Sequence, residues 1–167
     1  MDILKKNYFD LFGIEISIEI KKSTLEKKYK ELQRQFHPDK YSQSTTHEKK
    51  ISAQISSYIN DAYITLSDLI KRINYILKIN NFNKDESVTL KNEDFLIEQI
   101  DHNEFIENIN SKTAKEIKNY KDDIVKKLSS TIIEIKSYYE KKDFQKVWEE
   151  LSKLQFYVNH INKLEGT

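Results

Sequence analysis

The sequence predicts an all-α protein in two parts, on three observations. Its 167 residues include only two glycines and one proline, so little interrupts a helix. Apolar side chains recur at helical intervals, as in Leu25, Tyr29, Leu32 and Phe36 or Ile51, Ile55, Ile59, Ala62 and Leu66, and strand-like alternation is hard to find. From Asn80 to Val88 the periodicity gives way to a polar stretch, which reads as a linker.

The elements follow in order. A short helix over about Lys5 to Leu11 ends near Gly13, and a second runs from about Lys21 to Phe36 with Ser17 or Ser23 as candidate caps. After a loop holding His37, Pro38 and Asp39, a long helix starts at Thr45 or Thr46. It breaks at Ser67 and Asp68, a plausible cap pair, and continues to Leu77. These elements make a first domain over residues 1–78, with a linker over 79–90. Helices over about 92–110, 113–140 and 143–164 then make a second domain, 91–167. The last carries Val147, Leu151, Leu154, Val158 and Ile161 within an arc of about 80°, a heptad-like seam. The one before it offers Ile117, Tyr120, Ile124, Leu128, Ile132 and Ile135, and a three-helix bundle buries both stripes.

Composition excludes several classes of function. The chain has no cysteine, hence no disulfide, thiolate metal site or cysteine nucleophile. Charge is balanced, 28 basic against 27 acidic residues, which gives no general attraction to nucleic acid or membrane. Only Arg34 and Arg72 are arginine and the other 26 basic residues are lysine, a bias of genome composition rather than of function. No apolar run reaches the roughly 18 residues that span a bilayer, and the start resembles neither a signal nor a transit peptide. The expected location is the cytoplasm.

Two places stand out. The chain's one proline lies in His37-Pro38-Asp39, behind a helix whose polar face carries Lys27, Lys28, Lys30 and Arg34. Proline ends the helix and stiffens the bend, so histidine and aspartate project from a fixed turn. An ordinary helix-ending turn would look the same. A catalytic pair of His37 and Asp39 lacks a nucleophile, and a metal site with His47 lacks ligands. The second place is the fourth long helix. Phe95, Gln99, His102, Ile106 and Ile109 share one face, which should pack. Leu96, Ile97 and Ile100 fall on the other side, among Glu93, Asp101 and Glu104. That is either a partner site or a helix buried on both sides. His102, on the packing face, reads as a histidine at the core's edge. Phe156, about 200° from Leu154 around its helix, should be exposed.

The tripeptide, set between the basic helix and one bearing Ile59, Asn60, Asp61, Ala62 and Tyr63, resembles a J-domain. The segments Asn7 to Gly13, Leu32 to Lys40, Leu69 to Leu77, Phe95 to Ile100 and Lys153 to Phe156 extend the likeness, in order, to the HscB family of iron–sulfur cluster assembly. Asp68 and Ile73 stand where that family usually has proline and alanine, and Asn80 where it has glycine. The resemblance implies an L-shaped co-chaperone, monomeric and without catalysis, metal or cofactor. A J-domain hairpin over 1–78 would stimulate a specialised DnaK-type (HscA-type) ATPase through His37, Pro38, Asp39, Lys27, Lys30 and Arg34. The bundle would bind an IscU-type scaffold through Leu96, Ile97, Ile100, Asp101, Glu104 and Phe156. A further acidic contact of the family falls on Asn108 here.

Two rivals make different predictions. A general J-protein with unrelated clients would not need the acid-rimmed apolar face. A nucleic-acid-binding protein would not place eight acids against Lys91 alone in residues 85–110.

Overall fold

A computed structural model describes residues 3–41, 45–83 and 93–165, and the chain divides into two compact units, Met1–Asn80 and Asn81–Thr167. Among the described residues every regular element is helical, and no helix is long and apolar enough to cross a membrane. The expected linker lies largely on residues 84–92, outside the described set.

The first unit opens with a 3₁₀ turn, Ile3–Lys5, and the short helix α1, Tyr8–Phe12. The helix starts later than its apolar pattern suggests because Asn7 caps it, its side chain accepting from the Asp10 N–H at 2.9 Å. Gly13 ends it at φ 60°, the left-handed backbone that glycine adopts without a Cβ penalty. Helix α2 spans Lys22–Phe36, but neither candidate serine caps it. Lys21 holds the cap position without a side-chain bond, Ser17 instead accepts from the Glu19 N–H at 3.1 Å, and Ser23 sits inside the first turn.

Helix α3, Thr46–Ser67, begins with a reciprocal capping box between Thr45 and Glu48. The break after Ser67 is real. Asp68 ends α3 and caps α4, Leu69–Ile79, its carboxylate accepting from the Lys71 N–H at 2.8 Å. Side-chain capping thus makes the break where the family usually has proline. Phe9, Phe12, Leu25, Ile59, Leu66, Ile73 and Ile76 are fully buried and form the core. Ile51, placed on the apolar stripe of α3 by its spacing, is 39% exposed one turn from the helix start.

In the second unit α5 spans Glu93–Glu107, α6 Ala114–Glu140 and α7 Phe144–Glu165. Thr113 and Glu116 form a second capping box at the start of α6. Helices α6 and α7 pack together along their length, burying Ile124, Thr131 and Ile135 against Val147, Leu151 and Leu154. The buried face of α7 is wider than its heptad seam. Glu150, Tyr157 and His160 are buried as well, because α7 meets α6 on one side and α5 on the other.

Candidate functional site

Local bonds hold the loop after α2. His37 is extended, φ −63° and ψ 131°, as a residue before proline must be. Pro38–Tyr41 form a 3₁₀ turn closed by the Lys40 N–H donating to the His37 carbonyl at 3.0 Å. The Asp39 N–H lies 3.3 Å from His37 Nδ1, which it can reach as a donor. Ser52, buried on α3, donates to the Phe36 carbonyl at 3.2 Å and ties the loop's root to that helix. The functional groups themselves face solvent: the His37 side chain is 52% exposed and that of Asp39 90%, with 3.5 Å between Nδ1 and Oδ2. Carboxylate and imidazole are thus positioned by backbone geometry and left open.

Beside the loop, α2 presents Lys27, Lys30 and Arg34, all exposed and outside any ion pair among the described residues. They fall within about 60° of one another around the helix. Lys28 lies off that stripe and reaches Glu31 at 3.7 Å. The opposite face of α2 is fastened to α3. Asn60 Oδ1 accepts from Tyr29 Oη at 2.9 Å and Gln33 Nε2 at 2.6 Å, while Tyr29 stacks on Tyr63 with centroids 4.2 Å apart. The spacing of Tyr29 marked that face as buried, but nothing in the sequence singled out Asn60 as its polar anchor.

In the second unit α5 has the two faces its sequence predicts. His102 is buried, its Nδ1 2.8 Å from Tyr120 Oη, and Phe95 makes an edge contact with Tyr157. Glu98 anchors this face: its Oε1 accepts from Lys127 Nζ at 2.7 Å and Tyr157 Oη at 2.8 Å, and lies 3.3 Å from His102 Nε2. Burial pushes the Glu98 carboxyl up, but bonds from Lys127 and Tyr157 outweigh it and hold the group below the ordinary carboxylate range. Burial pulls His102 down, toward the neutral imidazole. The hydrogen-bonding role of Glu98 carried no signal in a helix rich in acids.

On the other side Leu96, Ile97 and Ile100 are 53%, 58% and 57% exposed, with Glu93, Asp101 and Glu104 exposed around them. Of the two readings left open by the pattern, burial on both sides is not realised within this unit. Asn108 is also exposed, but its side chain donates to the Glu104 carbonyl at 2.9 Å and so serves the end of α5. Phe156 departs from expectation. It is half-buried, with its ring 5.5 Å from Phe95, 5.7 Å from His102 and 4.0 Å from His160. Lying opposite the α6 seam turned it toward α5 rather than toward solvent.

Several known proteins are similar to this chain in sequence and fold. Residues 91–165 match a family described as the HSCB C-terminal oligomerisation domain. The co-chaperone protein HscB homolog of Shewanella pealeana is 38% identical over 104 residues, 62% of this chain and 60% of that relative's length. Several further relatives are likewise covered over little more than three-fifths of their length. The co-chaperone protein HscB of Buchnera aphidicola is 34% identical over 154 residues, 90% of this chain and 88% of that protein. Among solved structures, chaperone HscB from Vibrio cholerae superposes with a TM-score of 0.88 at 26% identity, covering 95% of this chain and 96% of that one. Human co-chaperone protein HscB gives 0.86 at 28% identity, covering 96% and 81%.

Proposed function

The chain belongs to the HscB family of co-chaperones, and from that membership we propose that it stimulates the ATPase of a DnaK-type (HscA-type) chaperone and delivers an IscU-type iron–sulfur scaffold to it. The observation that carries the first half is the loop of His37, Pro38 and Asp39. Its backbone is fixed by internal bonds while the imidazole and carboxylate remain open to a partner. Groups held this way lose little freedom on docking, so their interaction energy appears as binding. The stripe of Lys27, Lys30 and Arg34 steers the loop onto an acidic chaperone surface and sets its register. No bond is made or broken on this chain. It acts in the cytoplasm by holding two proteins, so that client capture and hydrolysis occur together.

For the second half, support comes from the three exposed apolar side chains of α5 inside their carboxylate rim. Burying each is worth roughly 1.5–3 kcal/mol. Association costs at least about 4 kcal/mol, so the three side chains alone leave at most about 5 kcal/mol, a Kd of roughly 0.2 mM, and the carboxylate rim supplies the rest of a transient contact suited to delivery. Asp101 and Glu104 pair with basic groups of the scaffold, and Phe156 supports the patch from beneath the helix. Titration calorimetry with purified scaffold tests this directly. Leu96→Ala with Ile100→Ala weakens binding about tenfold or more while the melting temperature holds, each truncation removing two or three buried methylene equivalents. Unchanged affinity would remove the patch from the proposal.

A further inference from the structure

Helix α6 keeps an apolar pair outside the bundle. Val125 and Ile133 are 47% and 65% exposed, with the exposed Ser129 midway between them. The centre of their stripe lies about 140° around the helix from Ile124, Thr131 and Ile135, the face packed on α7. Lys118 and Asp122 continue the stripe toward the start of α6, and Lys136 and Glu140 toward its end, all within an arc of about 80°. The order is complementary to its own reverse. Lys118 and Glu140 lie eleven residues either side of Ser129, Asp122 and Lys136 seven, and Val125 and Ile133 four.

We infer that this face pairs with the same face of a second copy of the chain, the two α6 helices running antiparallel about a two-fold axis at Ser129. In that register Lys118 faces the partner's Glu140, Asp122 the partner's Lys136, and Val125 the partner's Ile133. Each pair occurs twice, because a two-fold contact uses one patch on both copies. A parallel pairing would set every charge against its like, so charge fixes the direction as well as the register. The exposed patch of α5 cannot pair with itself in this way, since Glu93, Asp101 and Glu104 around it are all acidic. Two apolar side chains per copy are few for a stable dimer, so the pairing is weak and reversible, and the dilute chain is a monomer.

The test is sedimentation equilibrium of the full chain from about 20 µM to 1 mM, with circular dichroism on each variant. Wild type is expected to show a monomer–dimer equilibrium. Ile133→Ser weakens it about tenfold or more with helicity unchanged, because two apolar contacts are lost per dimer. Lys118→Glu and Glu140→Lys each weaken it about threefold or more, since each sets like charges together at two places, and the double variant recovers to within about twofold of wild type. Lys118 and Glu140 stand about 33 Å apart along one helix and cannot meet within a chain, so that recovery reports a contact between chains. A monomer throughout the range, a double variant no better than the singles, or a dimer lost with Leu96→Ala and kept with Ile133→Ser would overturn it. A different protein seated on the face would show as lost scaffold or chaperone binding in Ile133→Ser with no dimer in wild type, and would overturn it too. These substitutions leave α5 and the His37 loop untouched, so failure here leaves the co-chaperone reading intact.

Discussion

Arg72 is buried at the junction of α3 and α4, where it donates through Nε to the Ile18 carbonyl at 2.9 Å and through Nη1 to the Leu66 carbonyl. It satisfies a carbonyl at the end of α3 and fastens the strap before α2 in the same step. A lysine has one nitrogen and no fork, so Arg72→Lys should cost roughly 2 kcal/mol of stability, read as a shift in urea midpoint. In a chain otherwise committed to lysine, the arginine itself was the available clue. Glu98 makes a prediction with a pH signature. Its folded pKa lies below the ordinary value, so its stabilisation is present above the unfolded carboxylate range and is lost as pH falls through the folded pKa. Glu150 has the opposite sign, because its raised pKa makes rising pH unfavourable across the interval between unfolded and folded values. Glu98→Gln should therefore cost about 1–3 kcal/mol at pH 7 and flatten the loss of stability below about pH 4. An unchanged acid limb in thermal melts would contradict the assigned role.

At the scale of elements, helix periodicity carried most of the fold. The capping residues Thr45 and Asp68 and the two faces of α5 were all legible, because each depends on local sequence. What periodicity could not supply was how many neighbours a helix has. The α7 seam described contact with α6 alone, and Tyr157, His160 and Phe156 became intelligible only once α5 lay along the other side. Phe156→Ala therefore lowers stability as well as scaffold affinity, by about 1–3 kcal/mol for a half-buried ring. A melting temperature equal to wild type would return it to the surface. The turn between α6 and α7 holds Lys142 at φ 57°, where a Cβ is disfavoured. Lys142→Gly should raise stability by about 1 kcal/mol, since the helix end gains a residue suited to the left-handed position.

At the scale of the whole molecule, the near-neutral total hides two opposed regions. Residues 21–40 carry seven basic and three acidic side chains, whereas residues 85–110 carry eight acids against one lysine. Each suits a different partner, and the basic region should make chaperone stimulation sensitive to salt, since exposed charges are screened within about 8 Å at physiological ionic strength. If the loop acts as proposed, ATP hydrolysis on the partner chaperone depends on His37 and Asp39. The measurement that bears on it most directly is steady-state ATP hydrolysis by the purified HscA-type chaperone with scaffold present. The wild-type chain, His37→Gln and Asp39→Asn are added in turn, with circular dichroism and scaffold titration run on each. Wild type is expected to stimulate hydrolysis and neither variant to do so, with helicity and scaffold affinity unchanged. Undiminished stimulation by both variants would contradict it.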